Sequence, residues 1–205
     1  MSLKSRVTPG SNIALVVLAA GRGERLGGVA KAMLDVGGTS FLAKIVKIAA
    51  TSEAVVVVAE PFQQVVAAHA HDLGCHVVVN PAPERGMGSS VAVGFSNLLE
   101  TSTAEAALLW PVDIPGVASA TISTIKNCAD RGRIVIPTFA GRGGHPVLVG
   151  AELWPALTQA GHAVQGARGV FRQHQTVLSR IAVNDPGVLR DVDQPRDLLT
   201  TYQQE

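Results

Sequence analysis

The sequence predicts an α/β protein, a three-layer sandwich whose helices cover both faces of a mostly parallel, Rossmann-like mixed sheet. Short β-branched and small apolar runs alternate with segments of helical length, as buried parallel strands joined by right-handed crossovers do. The 205 residues suffice for one large core, and 47% of them are hydrophobic against 16% charged, which excludes intrinsic disorder. After Pro137 a glycine-rich turn, Ala140 to Gly144, precedes a short apolar run, so one antiparallel strand is expected to join the sheet.

The elements follow in order. Ile13–Ala19 is continuously apolar, the mark of a strand buried on both faces. A signal-peptide core is the other reading of Ile13–Ala20, after Lys4 and Arg6, but a buried strand explains the run without cleavage. Phe41–Ala50, Phe62–Leu73, Ser89–Leu99 and Ala118–Ala129 have helical spacing, the second with Pro61 just ahead of its first turn. Ala54–Ala59, Cys75–Val79, Ala106–Trp110 and Arg133–Ile136 are expected strands, as are His145–Val149 and Thr176–Val183. Leu153–Gln159 and Gly169–His174 are expected as short helices, and Pro195–Tyr202 as a closing helix capped by Asp193 or Gln194. No linker, repeat or low-complexity tract divides the chain, so residues 1–205 are expected to form a single domain with a disordered tail over 1–11.

A formal net charge of +1 argues against a dominant polyanion-binding surface, and 4% aromatic residues argue against a stacking platform for single-stranded nucleic acid. Two cysteines far apart, Cys75 and Cys128, suggest a reducing compartment, and no apolar run approaches the roughly 18 residues of a membrane span. A cytoplasmic protein that binds neither nucleic acid nor membrane is expected.

Ligands of open α/β sheets sit beyond the carboxyl ends of the strands. The first such end reads Leu18-Ala19-Ala20-Gly21-Arg22-Gly23-Glu24-Arg25-Leu26-Gly27-Gly28-Val29-Ala30-Lys31. Small residues let backbone N–H groups approach phosphate oxygens, and Arg22, Arg25 and Lys31 add three cations to the same loop. This chemistry suits a polyphosphate. Gly21, Gly23 and Gly27 also fit an NADP-type dinucleotide fingerprint. That motif should open straight into a helix and have an acid about 20 residues on, whereas Gly27, Gly28 and Val29 interrupt helix formation and the nearest suitable acid, Glu60, comes late. No Gly-Lys-Ser or Gly-Lys-Thr follows, which excludes a P-loop.

The loop resembles the signature of the nucleotidyltransferases that share the fold of molybdenum cofactor guanylyltransferase, the MobA-like NTP transferases. Asn80-Pro81 with Gly86-Met87-Gly88-Ser89-Ser90, and Gly144-His145-Pro146-Val147-Leu148, resemble segments of the cytidylyltransferase branch, the MocA type. Asp113, within Pro111-Val112-Asp113-Ile114-Pro115, stands where the family has its metal-binding aspartate, and Asp191 to Asp197 resemble its closing motif. The resemblance implies a nucleotide-diphospho-sugar transferase fold and Mg²⁺-dependent transfer of a nucleotidyl group to a phosphorylated acceptor of the molybdopterin type. It also implies an associated molybdoenzyme as a possible partner. Ala20, where the guanylyl branch has Gly, points to CTP over GTP.

On this reading Leu18, Ala19, Ala20, Gly21, Arg22, Gly23, Lys31, Asn80, Ser89 and Ser90 bind the nucleotide. Arg25 and Lys31 clamp the triphosphate, with Asp113 as the third catalytic residue. Asp113 and Asp193 hold the metal, since Mg²⁺ takes one or two carboxylates plus phosphate oxygens and water, and Asp191 is the alternative if the register slips. Gly144 and His145 face the acceptor. Asx-turn and helix-cap roles are the structural alternatives for the two metal carboxylates, as capping is for the serines. A sugar- or alditol-phosphate nucleotidyltransferase, and an NADP-binding oxidoreductase, are the competing functions. Three departures from the family pattern, Ala30, Pro111 and Glu60-Pro61, bear on the acceptor.

Overall fold

The computed structural model of the protein describes residues 12–162, 165–194 and 197. The expected tail lies outside them, as does the closing helix Pro195–Tyr202 apart from Asp197 and, within the described span, the side chain of Arg25. In chain order the strands are β1 (Ile13–Leu18), β2 (Asp35–Val36), β3 (Thr39–Ser40), β4 (Glu53–Val58), β5 (His76–Val79), β6 (Ala106–Pro111), β7 (Ile134–Phe139), β8 (Arg142–Gly143), β9 (Val147–Gly150) and β10 (Leu178–Ala182). The helices are α1 (Phe41–Ala49), α2 (Gln63–Asp72), α3 (Met87–Thr101), α4 (Ser119–Lys126), α5 (Trp154–Leu157) and α6 (Gly166–Gln173).

The main sheet runs β10-β7-β9-β6-β1-β4-β5, with β8 paired to β7. β5, β4, β1 and β6 are parallel neighbours, β9 lies antiparallel between β6 and β7, and β10 is parallel to β7. β8 and β9 run against the other strands of the sheet, and they form the antiparallel return expected after the glycine-rich turn. Because successive side chains of a strand face opposite ways, β1 feeds two cores. Leu15 and Val17 meet Phe41 and Ile45 of α1, Val66 of α2 and Ile122 of α4. Ala14 and Val16 meet Val91 and Phe95 of α3, Trp154 of α5 and Phe171 of α6. The central strands are apolar throughout because neither face meets water.

Several bounds differ from expectation. β7 runs on through Pro137, where the sequence suggested a stop. The Pro137 carbonyl accepts from Gly144 N at 2.8 Å, so its nitrogen side faces the gap where the β9 pairing has ended at Val135 and the β8 pairing has not begun. No ladder bond is lost there. α3 starts two residues earlier than expected, at Met87, and β10 is shortened by a 3-10 turn over Gln175–Val177. In place of the helix expected over Leu153–Gln159 stands a 3-10 turn, Ala151–Leu153, joined to the four-residue α5. The β2–β3 hairpin, not expected, turns on Gly37 and Gly38, both at positive φ.

The buried Asp185 carboxylate ties two distant loops together. It accepts from Ala118 N (2.9 Å), Thr121 Oγ1 (2.7 Å) and Gly187 N (2.9 Å). The segment after Asp185 therefore lies against the β6–α4 loop, and Val192 N donates to Asp113 O at 2.8 Å. Asp185→Ala would leave two buried donors, Thr121 Oγ1 and Gly187 N, unsatisfied and take the partner from Ala118 N. A loss of about 3 kcal/mol is expected, read as a lowered urea midpoint at unchanged m-value.

Candidate active site

β1 and β6 end side by side, Leu18 opposite Pro111, so the loops that follow them open on the same edge of the sheet. The first loop curls on itself. Leu26 N and Gly28 N both donate to Gly23 O, at 2.9 and 3.0 Å. Gly23 sits at φ 60°, and a Cβ there would lie 2.0 Å from Val29 O, so only glycine fits. Among the described residues, the backbone N–H groups of Ala20, Gly21, Arg22 and Gly23 have no protein partner. The loop thus presents a run of open donors, suited to phosphate oxygens. The dinucleotide alternative required a helix here, but the loop leads only into a 3-10 turn, Glu24–Leu26, ended by Gly27 in the left-handed region.

A cavity of about 490 Å³ opens at this edge. Leu18, Ala19, Ala20, Gly21, Arg22 and Gly23 line it from one side, and Lys31, Ser90, Asp113 and Asp193 also border it. Lys31 Nζ donates to Asp113 Oδ2 at 3.3 Å and to Asp193 Oδ1 in a shorter contact. Asp193, not Asp191, is therefore the closing-motif carboxylate that meets Asp113. The Asp197 carboxylate accepts from Asp193 N (3.0 Å) and Gln194 N (2.7 Å), which fixes the backbone of the closing motif. Burial works to lower Lys31, but the hydrogen bonds and charges of the two aspartates outweigh it and hold the ammonium above its ordinary value. Asp113 is held above the ordinary carboxylate range by burial, with the like charge of Asp193 adding to it and Lys31 resisting. Two hard-oxygen carboxylates that converge on one cation fit a divalent metal completed by phosphate oxygens.

Asn80 and Ser89 are placed differently from expectation. Asn80 is 2% exposed. Its Nδ2 donates to Ser89 Oγ (2.8 Å) and Ser90 Oγ (2.9 Å), and its Oδ1 accepts from Ala82 N. Ser89 Oγ donates to the Ala82 and Gly86 carbonyls. Neither residue lines the cavity; both brace the Pro83–Arg85 turn, which brings Pro83 and Glu84 to the wall. These wall residues escaped the sequence reading because nothing in their local pattern marks them.

A second cavity, about 1320 Å³, adjoins the first and shares Leu18, Gly86 and Met87 with it. Gly144 and His145, the residues expected to face the acceptor, both line it. A Cβ at Gly144 would lie 2.3 Å from Val188 O. Arg85, Arg168, Arg172 and Arg180, which no sequence motif singles out, also line this cavity. They come from three separate elements, and only the fold brings them together. Burial pushes His145 down to about 4, with a backbone hydrogen bond to Leu109 opposing and the Arg168 charge adding. The unfolded chain then binds the extra proton first, so stability falls as pH drops from about 6.5 toward 4, by up to about 3 kcal/mol. His145→Gln should flatten that part of a stability–pH profile.

The family model of the MobA-like NTP transferase domain matches residues 15–177. Nicotine blue oxidoreductase of Paenarthrobacter nicotinovorans is 31% identical over 188 residues, 87% of this chain and 90% of that protein. Rv0371c from Mycobacterium tuberculosis H37Rv superposes with a TM-score of 0.80 at 27% identity, over 95% of this chain and 100% of that one, and has also been solved with manganese. A nucleotidyl transferase from Methanothermobacter thermautotroptrophicus gives a TM-score of 0.77 at 24% identity, over 94% of this chain and 97% of that one, a likeness of fold. The fold is that of the nucleotide-diphospho-sugar transferases, and the chain belongs to the MobA-like NTP transferase family.

Proposed function

We propose that the protein transfers CMP from CTP to a phosphorylated acceptor of the molybdopterin type and releases pyrophosphate. The observation that carries this reading is the Lys31 ammonium held between Asp113 and Asp193 under a loop of open backbone donors. An acceptor phosphate oxygen attacks the α-phosphorus. The bond from that phosphorus to the bridging oxygen of the β-phosphate breaks, and pyrophosphate leaves with the electron pair. The N–H groups of residues 20–23 hold the triphosphate together with Arg22, and the family resemblance assigns Arg25 to the same clamp. Lys31, charged and close to the carboxylates, turns to the phosphates and offsets the charge that grows on the leaving group. Asp113 and Asp193 would hold Mg²⁺, which supplies charge neutralisation and orientation of the triphosphate. Ala20 and Ser90 border the nucleotide, and Gly144 and His145 the acceptor.

Among the described residues no helix is long and apolar enough to cross a membrane. A cytoplasmic enzyme handing its product to a molybdoenzyme, with no nucleic-acid partner, fits this reading. A sugar- or alditol-phosphate acceptor would use the same machinery. The 31% identity to nicotine blue oxidoreductase favours a second reading, an oxidoreductase, although the Gly21–Gly27 loop lacks the helix that a dinucleotide fingerprint requires.

Pyrophosphate release measured with each of the four NTPs, with and without molybdopterin, decides between them. Release is expected from CTP when molybdopterin is present. No release under any pairing, together with tight NADPH binding, would replace transfer by the oxidoreductase reading. Asp113→Ala should cut metal-dependent turnover by about a hundredfold or more while leaving the circular dichroism spectrum unchanged; full activity would remove it from the metal site. Ala20→Gly should shift the ratio of kcat/KM for CTP and GTP toward GTP, and an unaltered ratio would place base choice elsewhere.

A further inference from the structure

Four arginines, Arg85, Arg168, Arg172 and Arg180, line the second cavity, and among the described residues no carboxylate does. Acidic and basic residues are nearly equal in number in this chain, 16 against 17, so four arginines facing one cavity without counter-charges is a local excess. Among the described residues none of the four is ion-paired, and Arg172 donates only to Gln165 Oε1, at 2.9 Å. Unpaired guanidinium groups converging on a concave surface make an anion site.

Their positions indicate which part of a ligand they meet. Arg168 and Arg172 are four residues apart on α6 and so share one face of it. Arg180 stands opposite Ile136 in the β10–β7 register, and both line the cavity. Between β10 and β6, the strand that leads to Asp113, lie β7 and β9; three strand spacings amount to about 14 Å. The reacting phosphate must lie at the other end, where Leu18, Gly86 and Met87 join the two cavities. Between the ends the wall is apolar, with Leu109, Ile136, Val147 and Phe171.

We propose that the acceptor carries a second anionic group at the end remote from its reacting phosphate, and that Arg172 and Arg180, with Arg168, grip it. The acceptor is then an elongated bis-anion with an apolar or flat middle. This inference rests on the reading of the second cavity as the site of a phosphorylated acceptor, and a distal anion turns that acceptor away from molybdopterin itself, whose far end is an uncharged pterin.

Binding of octane-1,8-diphosphonate to the full chain, measured by calorimetry, tests it. Octylphosphonate lacks the second anion, and ethane-1,2-diphosphonate carries it too close. The long diphosphonate should bind about tenfold more tightly than either, and Arg172→Gln with Arg180→Gln should abolish that advantage. Both arginines are exposed, so the fold should survive the change, and a circular dichroism melt checks it. Equal affinity for the long and short diphosphonates, equal affinity for the diphosphonate and octylphosphonate, or an advantage undiminished in the double variant would overturn the proposal. CTP binding with Mg²⁺, measured on the same wild-type protein, reports separately on nucleotidyl transfer. Its absence would sink that reading, whereas the probe preference alone decides the distal anion site.

Discussion

The contact of the Lys31 ammonium with Asp113 and Asp193 joins groups 82 and 162 residues apart in the chain. A charged group taken out of water must be compensated, and here each member compensates the others. Lys31 reaches the site only if the loop after β1 closes through Gly23. Asp113 reaches it only if β6 ends beside β1. Asp193 reaches it only if the chain returns from β10 to lie along the β6–α4 loop. The rest of the architecture acts as a device for these three placements. The apolar strands fix the edge, and Asp185 pins the returning segment to the loop that bears Asp113.

The same logic explains why the central strands β1 and β6 are so uniformly apolar while their carboxyl edge is so polar. These two strands are covered by helices on both faces, which leaves no place along them for a charge. Polar chemistry is confined to the loops at the ends, where backbone donors and side chains can stay partly wet. Asn80 marks the border between the two regimes. It is buried and spends its amide on Ser89, Ser90 and Ala82, so the Pro83–Arg85 turn stands firm between the two cavities.

Much of this was legible in the sequence because the signals were local. The strand that leads into the glycine loop shows as an unbroken apolar run, and the helices show their spacing. Lys31, Asp113 and Asp193 each sit in a short segment whose composition marks it. The antiparallel β9 was legible from the turn before it. What was not legible depended on register and distance. Pro137 looks like a strand terminator until its nitrogen is seen to face a gap between two ladders. Asn80 and Ser89 carry the polar groups of a base reader, but their neighbours turn those groups inward. The cavity arginines come from the Pro83–Arg85 turn, from α6 and from β10, and no window of sequence holds them together.

The two cavities differ in how they balance charge, and that difference orders their ligands. The first holds its carboxylates and its ammonium in contact, and Glu24 and Glu84 outnumber Arg22 on its wall, so it carries a net negative charge until a metal enters with the triphosphate; each needs the other to be stable there. The second is lined by arginines and, among the described residues, by no acid, so it carries its positive potential before anything binds, and it draws an anion from solution whether or not the nucleotide is present. A nearly neutral chain therefore holds one site that waits for a matched pair of charges and one that is positive in advance, with Leu18, Gly86 and Met87 as the seam between them.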